Sequence, residues 1–149
     1  MAYSHYQHLL MDSDITFSII KPDAVSKGYT GQILTRITGS GFTIAALRMV
    51  RLTRQQAEEF YYVHRERGFY RGLVEFMSSG PVIVMVLRKA DAVDEFRKLI
   101  GSTDPATADR GTIRAEFATD VQKNAVHGAD SPENARREAS FFFPAIEIF

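Results

Sequence analysis

An α+β fold is expected from this chain, with a ferredoxin-like antiparallel sheet covered by helices in a single domain. Three observations predict it. Strand-like apolar runs alternate with helical periodicities along almost the whole sequence. No repeat, low-complexity tract or linker divides it. A length of 149 residues, 45% of them hydrophobic, suits one core rather than two.

The elements follow in order. Residues 1–14 (MAYSHYQHLLMDSD) are polar and aromatic and read as a partly ordered N-terminal extension; residues 15–149 form the domain. ITFSII, residues 15–20, is β-branched and aromatic and reads as a buried strand. Pro22 ends it, because proline drives the preceding Lys21 toward extended backbone. Ile33, Leu34 and Ile37 repeat at helical spacing over residues 31–38, before Gly39 and Gly41. Residues 42–52 read as a long strand of imperfect alternation. Thr53, with Gln56 three positions on, forms a capping box. Ala57, Phe60, Tyr61 and His64 then share one helical face up to Gly68.

Leu73, Val74 and Met77 mark a short helix within residues 69–79. PVIVMVL, residues 81–87, is an uninterrupted apolar run and reads as a central strand. Asp91 is expected to cap a helix carrying Val93, Phe96, Leu99 and Ile100, closed by Gly101. Residues 101–111 are a polar loop, long enough in a compact domain to be functional or disordered. Residues 120–127 read as the last strand. Residues 131–140 read as the last helix, with Pro132 at its first position.

Composition excludes several chemistries. The sequence has no cysteine, so thiolate catalysis and Cys-based zinc sites are ruled out. Lys+Arg and Asp+Glu both number 18, which leaves no net positive charge to draw the chain to nucleic acid. No apolar run is long enough to span a membrane, and the N-terminus lacks the pattern of a secretory signal. A cytoplasmic location is the expectation. No P-loop motif is present, and Gly39-Ser40-Gly41 has Ile44 where a dinucleotide fingerprint needs its third glycine.

NAVHGADS, residues 124–131, is the segment that asks for chemistry. Its His127 stands before Gly128, where the chain can turn at little steric cost, and before a helix opening at Asp130 and Ser131 whose N–H groups favour anions. Alone, the fragment favours a satisfied structural histidine. The other histidines are weaker candidates: His64 reads as a rim residue, and His5 and His8 could clasp a metal only with more ligands.

Polar residues elsewhere shift that weighting. Lys21 ends a strand, Arg97 lies just before the long loop, Thr103 opens it and Arg114 follows it. Asn124 is three residues before His127. Glu138, about two turns into the last helix, could fold back and orient the imidazole. Tyr61 and Phe69 are aromatic, a type found more often in a core than in a ligand platform.

Together these segments resemble the nucleoside diphosphate kinase family. NAVHGADS is similar to that family's N-x-x-H-G-S-D-S signature, and IIKPDAV, GLVEFMSSGPVIVMVL, IGSTDPATADRGTIRAEF and FFFP match its other segments in order. The resemblance implies ping-pong transfer of a γ-phosphate from a nucleoside triphosphate to a nucleoside diphosphate through a phosphohistidine, which maintains triphosphate pools. It implies Mg²⁺ on the nucleotide phosphates. By the same resemblance His127 would be the nucleophile, held by Glu138. Lys21, Tyr61, Arg97, Thr103, Arg114 and Asn124 would contact phosphates or sugar. Phe69 would stack on the base with Val121 opposite, and Gly128 would bring backbone to the transferred group. The partners implied are ATP and other nucleoside di- and triphosphates, and further copies of the chain in a tetramer or hexamer. No specific nucleic acid and no membrane are expected. Ala129 departs from the pattern, because a serine follows H-G in the family. A non-catalytic, family-like assembly or regulatory domain is the alternative, and it predicts a lost histidine or a broken cation cluster.

Overall fold

The computed structural model describes residues 14–149. The weak His5–His8 pairing and nearly all of the N-terminal extension lie outside them. The elements are β1 (Ile15–Ile20), α1 (Pro22–Ser26), α2 (Thr30–Gly39), β2 (Thr43–Val50), α3 (Arg54–Phe60), α4 (Tyr70–Met77), β3 (Val82–Arg88), α5 (Ala92–Ile100), α6 (Ile113–Phe117), β4 (Val126–Gly128) and α7 (Pro132–Phe142). Short 3-10 turns span Tyr62–His64 and Ala145–Glu147.

The four strands form one sheet in the order β2-β3-β1-β4, and each adjacent pair is antiparallel. This is the split arrangement expected of a ferredoxin-like fold. β1 and β3 are central and covered by helices on both faces, so both are buried along nearly their whole length. That double burial explains why ITFSII and PVIVMVL read as continuous apolar runs. Phe17, Ile19, Val84 and Val86 point into a core with α3, α4 and α7. Ile20, Ile83, Met85 and Leu87 point the other way, into a core with α1, α2 and α5. β2 is an edge strand with a register shift between Ile44 and Ala46, which accounts for its imperfect alternation.

The Thr53 capping box forms as expected, with Gln56 N–H donating to Thr53 Oγ1 at 3.1 Å and Thr53 N–H donating to Gln56 Oε1 at 2.9 Å. Five expectations need correction, and the first is the helix after Thr53, which ends at Phe60 rather than at Gly68 and is followed by a 3-10 turn at Tyr62–His64. The last strand is only Val126–Gly128, because residues 119–125 are taken up by turns: Asp120 Oδ1 accepts the N–H groups of Gln122 and Lys123 at 2.9 and 2.8 Å. Asp91 precedes α5 but makes no side-chain cap; it sits in the left-handed region at φ 53°. Pro22 does more than end β1, since it occupies the first turn of α1. The IRAEF segment after the long loop is a helix, α6, started by Thr112 Oγ1 accepting the N–H of Ala115 at 3.3 Å. Both missed helices have five residues, too few for a 3.6-residue period to show.

Candidate active site

A cavity of about 530 Å³ opens between β4, the start of α1, the end of α3, α4, the last turn of α5 and α7. The chain converges on it for physical reasons. β1 delivers Lys21 at its C-terminal end, in the N-cap position of α1. β4 pairs with β1 so that His127 lies opposite Ile19. α7 runs back over the sheet from its Ser131 cap, whose Oγ accepts the Asn134 N–H at 3.1 Å, and so brings Glu138 above the histidine.

The His127 ring is held on two sides. Its Nε2 hydrogen-bonds Glu138 Oε1, and Glu138 is only 4% exposed. Phe60 packs edge-on to the ring at 5.6 Å between centroids, and Tyr61 does so at 6.3 Å. An ionised carboxylate can only accept a hydrogen bond, so Nε2 carries the ring proton and Nδ1 keeps its lone pair.

Cations surround this ring. Lys21 is buried, and burial, reinforced by Arg114 and opposed by Asp23, lowers its pKa to about 8. Arg114 on α6 is anchored by Nη1 to the Gly101 carbonyl at 3.0 Å and by Nη2 to the Val126 carbonyl at 2.9 Å. Its Nε has no partner, and burial with Arg97 nearby brings its pKa down to about 10. Arg97, on the last turn of α5, lines the same cavity. Removed from water, Lys21 with only Asp23 acting against its neighbours and Arg114 with no salt bridge among the described residues, the two cations give a cavity charged to receive anions.

Polar and apolar groups complete the lining. Asn124 is buried, and its Nδ2 donates to the carbonyls of Thr103 and Val121 at 3.1 and 3.2 Å, tying the long loop to the segment before β4. Its Oδ1 is left without a partner, as is the Tyr61 hydroxyl. Burial, then the charge of Glu138, pushes the Tyr61 phenol up, so it stays a neutral donor. Phe69 and Val121 line the cavity with 52% and 59% of their surface exposed, apolar groups free to grip a planar ligand.

All eleven site residues expected from sequence, among them Thr103 and Gly128, meet in this one cavity. Gly128 has a different reason from the one expected. It lies in β4 rather than in a sharp turn, and a Cβ there would come within 3.0 Å of Ile100 and 3.1 Å of Phe96. A side chain there would press on α5 unless Ile100 and Phe96 shifted by a few tenths of an ångström, so close packing favours glycine.

The chain matches the family model "Nucleoside diphosphate kinase" over residues 14–148. It belongs to the nucleoside diphosphate kinase family. It is 54% identical over 134 residues to a protein named nucleoside diphosphate kinase from Burkholderia thailandensis, an alignment covering 90% of this chain and 95% of that one. Its counterpart of the same name in Burkholderia mallei is 53% identical over the same length. Among solved structures, the Aquifex aeolicus nucleoside diphosphate kinase is similar at TM-score 0.89 and 50% identity, covering 91% of this chain and 99% of that chain. The apo enzyme from Encephalitozoon cuniculi is similar at TM-score 0.84 and 38% identity, covering 87% and 88%.

Within this family member, sequence reasoning missed several lining groups: Phe60, Val63, Leu73, Gln122, Asn134 and Arg137. Asn134 lies one turn before Glu138, a spacing that could have flagged it. Arg137 stands beside Glu138, with Nη2 3.9 Å from Glu138 Oε2. Ala129 is buried, and its N–H donates to the Phe17 carbonyl at 3.1 Å.

Proposed function

We propose that this chain transfers the γ-phosphate of a nucleoside triphosphate to a nucleoside diphosphate through phosphorylated His127. The observation that carries the reading is the His127–Glu138 pair at the floor of a cavity lined by Lys21, Arg97 and Arg114. The pair leaves Nδ1 as the nucleophile. Its lone pair forms an N–P bond to the γ-phosphorus while the bond from phosphorus to the β,γ-bridging oxygen breaks, and the diphosphate leaves with that electron pair. The second half-reaction runs the same step in reverse, onto the terminal oxygen of another diphosphate. Glu138 stabilises the positive charge that develops on the ring and keeps its orientation.

Lys21, Arg97 and Arg114 hold the charge of the equatorial oxygens, which is the main demand of phosphoryl transfer. The Tyr61 hydroxyl donates to a phosphate or sugar oxygen. Asn124 Oδ1 offers its free acceptor to a sugar hydroxyl, and Thr103 meets the phosphates at the loop. Phe69 stacks on the base with Val121 on its other side, a contact any base can make. Gly128 lets the β4 backbone approach the transferred group.

Mg²⁺ fits this donor set as an ion carried by the nucleotide. Of the carboxylates lining the cavity Glu138 is committed to His127, and the described residues hold no group of three or more His, Cys, Asp or Glu able to bind a metal. When bound, Mg²⁺ supplies charge neutralisation on the phosphates. The same reading includes a homo-oligomer, tetramer or hexamer, which would cover Leu47 and Met49 on the edge strand β2. It includes a cytoplasmic location, and no helix among the described residues is long and apolar enough to cross a membrane. Both His127 and the cation cluster are present, so nothing favours the non-catalytic alternative.

The test is incubation with γ-labelled ATP and Mg²⁺. The protein should acquire an acid-labile, base-stable phosphate that moves to an added unlabelled diphosphate. An adduct that persists in His127→Ala would overturn the mechanism.

A further inference from the structure

Resting on that reading of the site, we propose that Asp23 is a positioning residue for phosphoryl transfer, which clamps the strained backbone at Ala125 and lends its charge to Lys21. Asp23 lies in α1, 7% exposed, in a carboxylate environment that nothing in the transfer step requires. Its Oδ2 accepts the N–H of Ala125 at 3.1 Å, a buried bond between residues 102 positions apart. The Ala125 carbonyl in turn accepts the N–H of Lys21 at 2.8 Å. The segment Lys21-Pro22-Asp23 therefore grips residue 125 by both of its backbone polar groups.

Residue 125 needs gripping. Ala125 has φ 71°, in the left-handed region that alanine adopts only at a cost. The Val126 N–H donates back to the Asn124 carbonyl at 2.8 Å, which closes a three-residue turn around it. A turn of this kind with positive φ at its centre is the rare and strained form. Such a conformation persists only where its surroundings over-determine it. The turn separates Asn124, which holds the long loop at Thr103, from Val126 and His127, which begin β4. Relaxing φ at 125 would swing Asn124 and His127 apart, although both must face one nucleotide.

Asp23 has a second reach. Its Oδ1 is buried and takes no hydrogen bond. Asp23 stands two residues after Lys21, and its carboxylate opposes the effect of burial and of Arg114 on that ammonium. Arg97 on α5, His127 on β4, Tyr61 and His64 after α3, Asp130 before α7, and Arg137 and Glu138 on α7 are the other titratable groups around the same cavity with Arg114. Without Asp23, Lys21 faces Arg114 with less to hold its proton.

The two effects separate by substitution. Asp23→Asn keeps an oxygen to accept from Ala125 and removes the charge. Asp23→Ala removes both. Ala125→Gly in the Asp23→Ala background removes the strain, because glycine takes positive φ freely. The experiment measures single-turnover phosphorylation by γ-labelled ATP, the pH profile of kcat/KM and thermal melting for the wild type and each variant. Phosphorylation in Asp23→Ala is expected to fall roughly tenfold or more, and Ala125→Gly to restore several-fold of it. In Asp23→Asn the alkaline limb is expected to move down by about half a pH unit or more. If Asp23→Ala does not fold, the limb of Asp23→Asn decides. A limb in Asp23→Asn that coincides with the wild type, or a folded Asp23→Ala that labels as fast as wild type, overturns the inference. Either result with a wild type that labels on His127 leaves the kinase reading standing; a wild type that takes no label removes both.

Discussion

Removal of the Glu138 carboxylate isolates what holds the His127 ring. Glu138 is 4% exposed, and its Oε1 takes the Nε2–H of His127. Hydrogen bonds to a charged group contribute about 1.5–3 kcal/mol, against about 0.5–1.5 kcal/mol for neutral ones. At about 1.4 kcal/mol per factor of ten, Glu138→Ala should slow phosphorylation of His127 by roughly 10–150-fold. Glu138→Gln keeps an acceptor oxygen and loses only the charge, so its loss should be about 5–12-fold. The sequence has no tryptophan, so intrinsic indole fluorescence is absent and rapid-quench measurement with γ-labelled ATP is the suitable assay. Melting curves beside it separate a rate effect from unfolding. Glu138→Ala that folds and labels within about twofold of wild type refutes the orienting role, since that difference is smaller than the weakest hydrogen bond considered. Equal losses in the Ala and Gln variants would assign the effect wholly to charge.

Four further outcomes are expected. As pH passes about 8, Lys21 in the free enzyme loses its proton, so kcat/KM should fall along an alkaline limb near that value. For stability the sign is opposite: the cost of burying the ammonium is present in full below pH 8 and is relieved as pH rises toward 10.5, which denaturant titration at several pH values would read. Ala125→Gly should raise stability by about 0.5–1 kcal/mol, seen calorimetrically, because relief of the left-handed strain exceeds the added chain entropy. Ala129→Ser should raise turnover by up to about fivefold if the new hydroxyl reaches Glu138; an unchanged rate would show that the buried turn after Gly128 already orients the pair without it.

The parts of the molecule that could be read in advance are those governed by local chemistry. The continuous runs of β1 and β3, the Thr53 cap and the start of α7 at Ser131-Pro132 all follow from short-range preferences, and each appears where expected. The order of these segments and the NAVHGADS signature were enough to indicate the family and the set of residues that meets in the cavity. The reasons for several of them were not legible. Gly128 answers to Ile100 and Phe96, which lie far from it in sequence, and Ala125, with its positive φ, is held by Asp23 and Lys21 from the end of the neighbouring strand. Arg114 becomes an unpaired buried cation only after the carbonyls of Gly101 and Val126 fix its fork. Residue types, spacings and apolar periods are properties of the chain and survive any folding. Burial, strain and shifted proton affinities depend on distant segments that meet only once the sheet has assembled, and these decide how His127 is aimed and how Lys21 is charged.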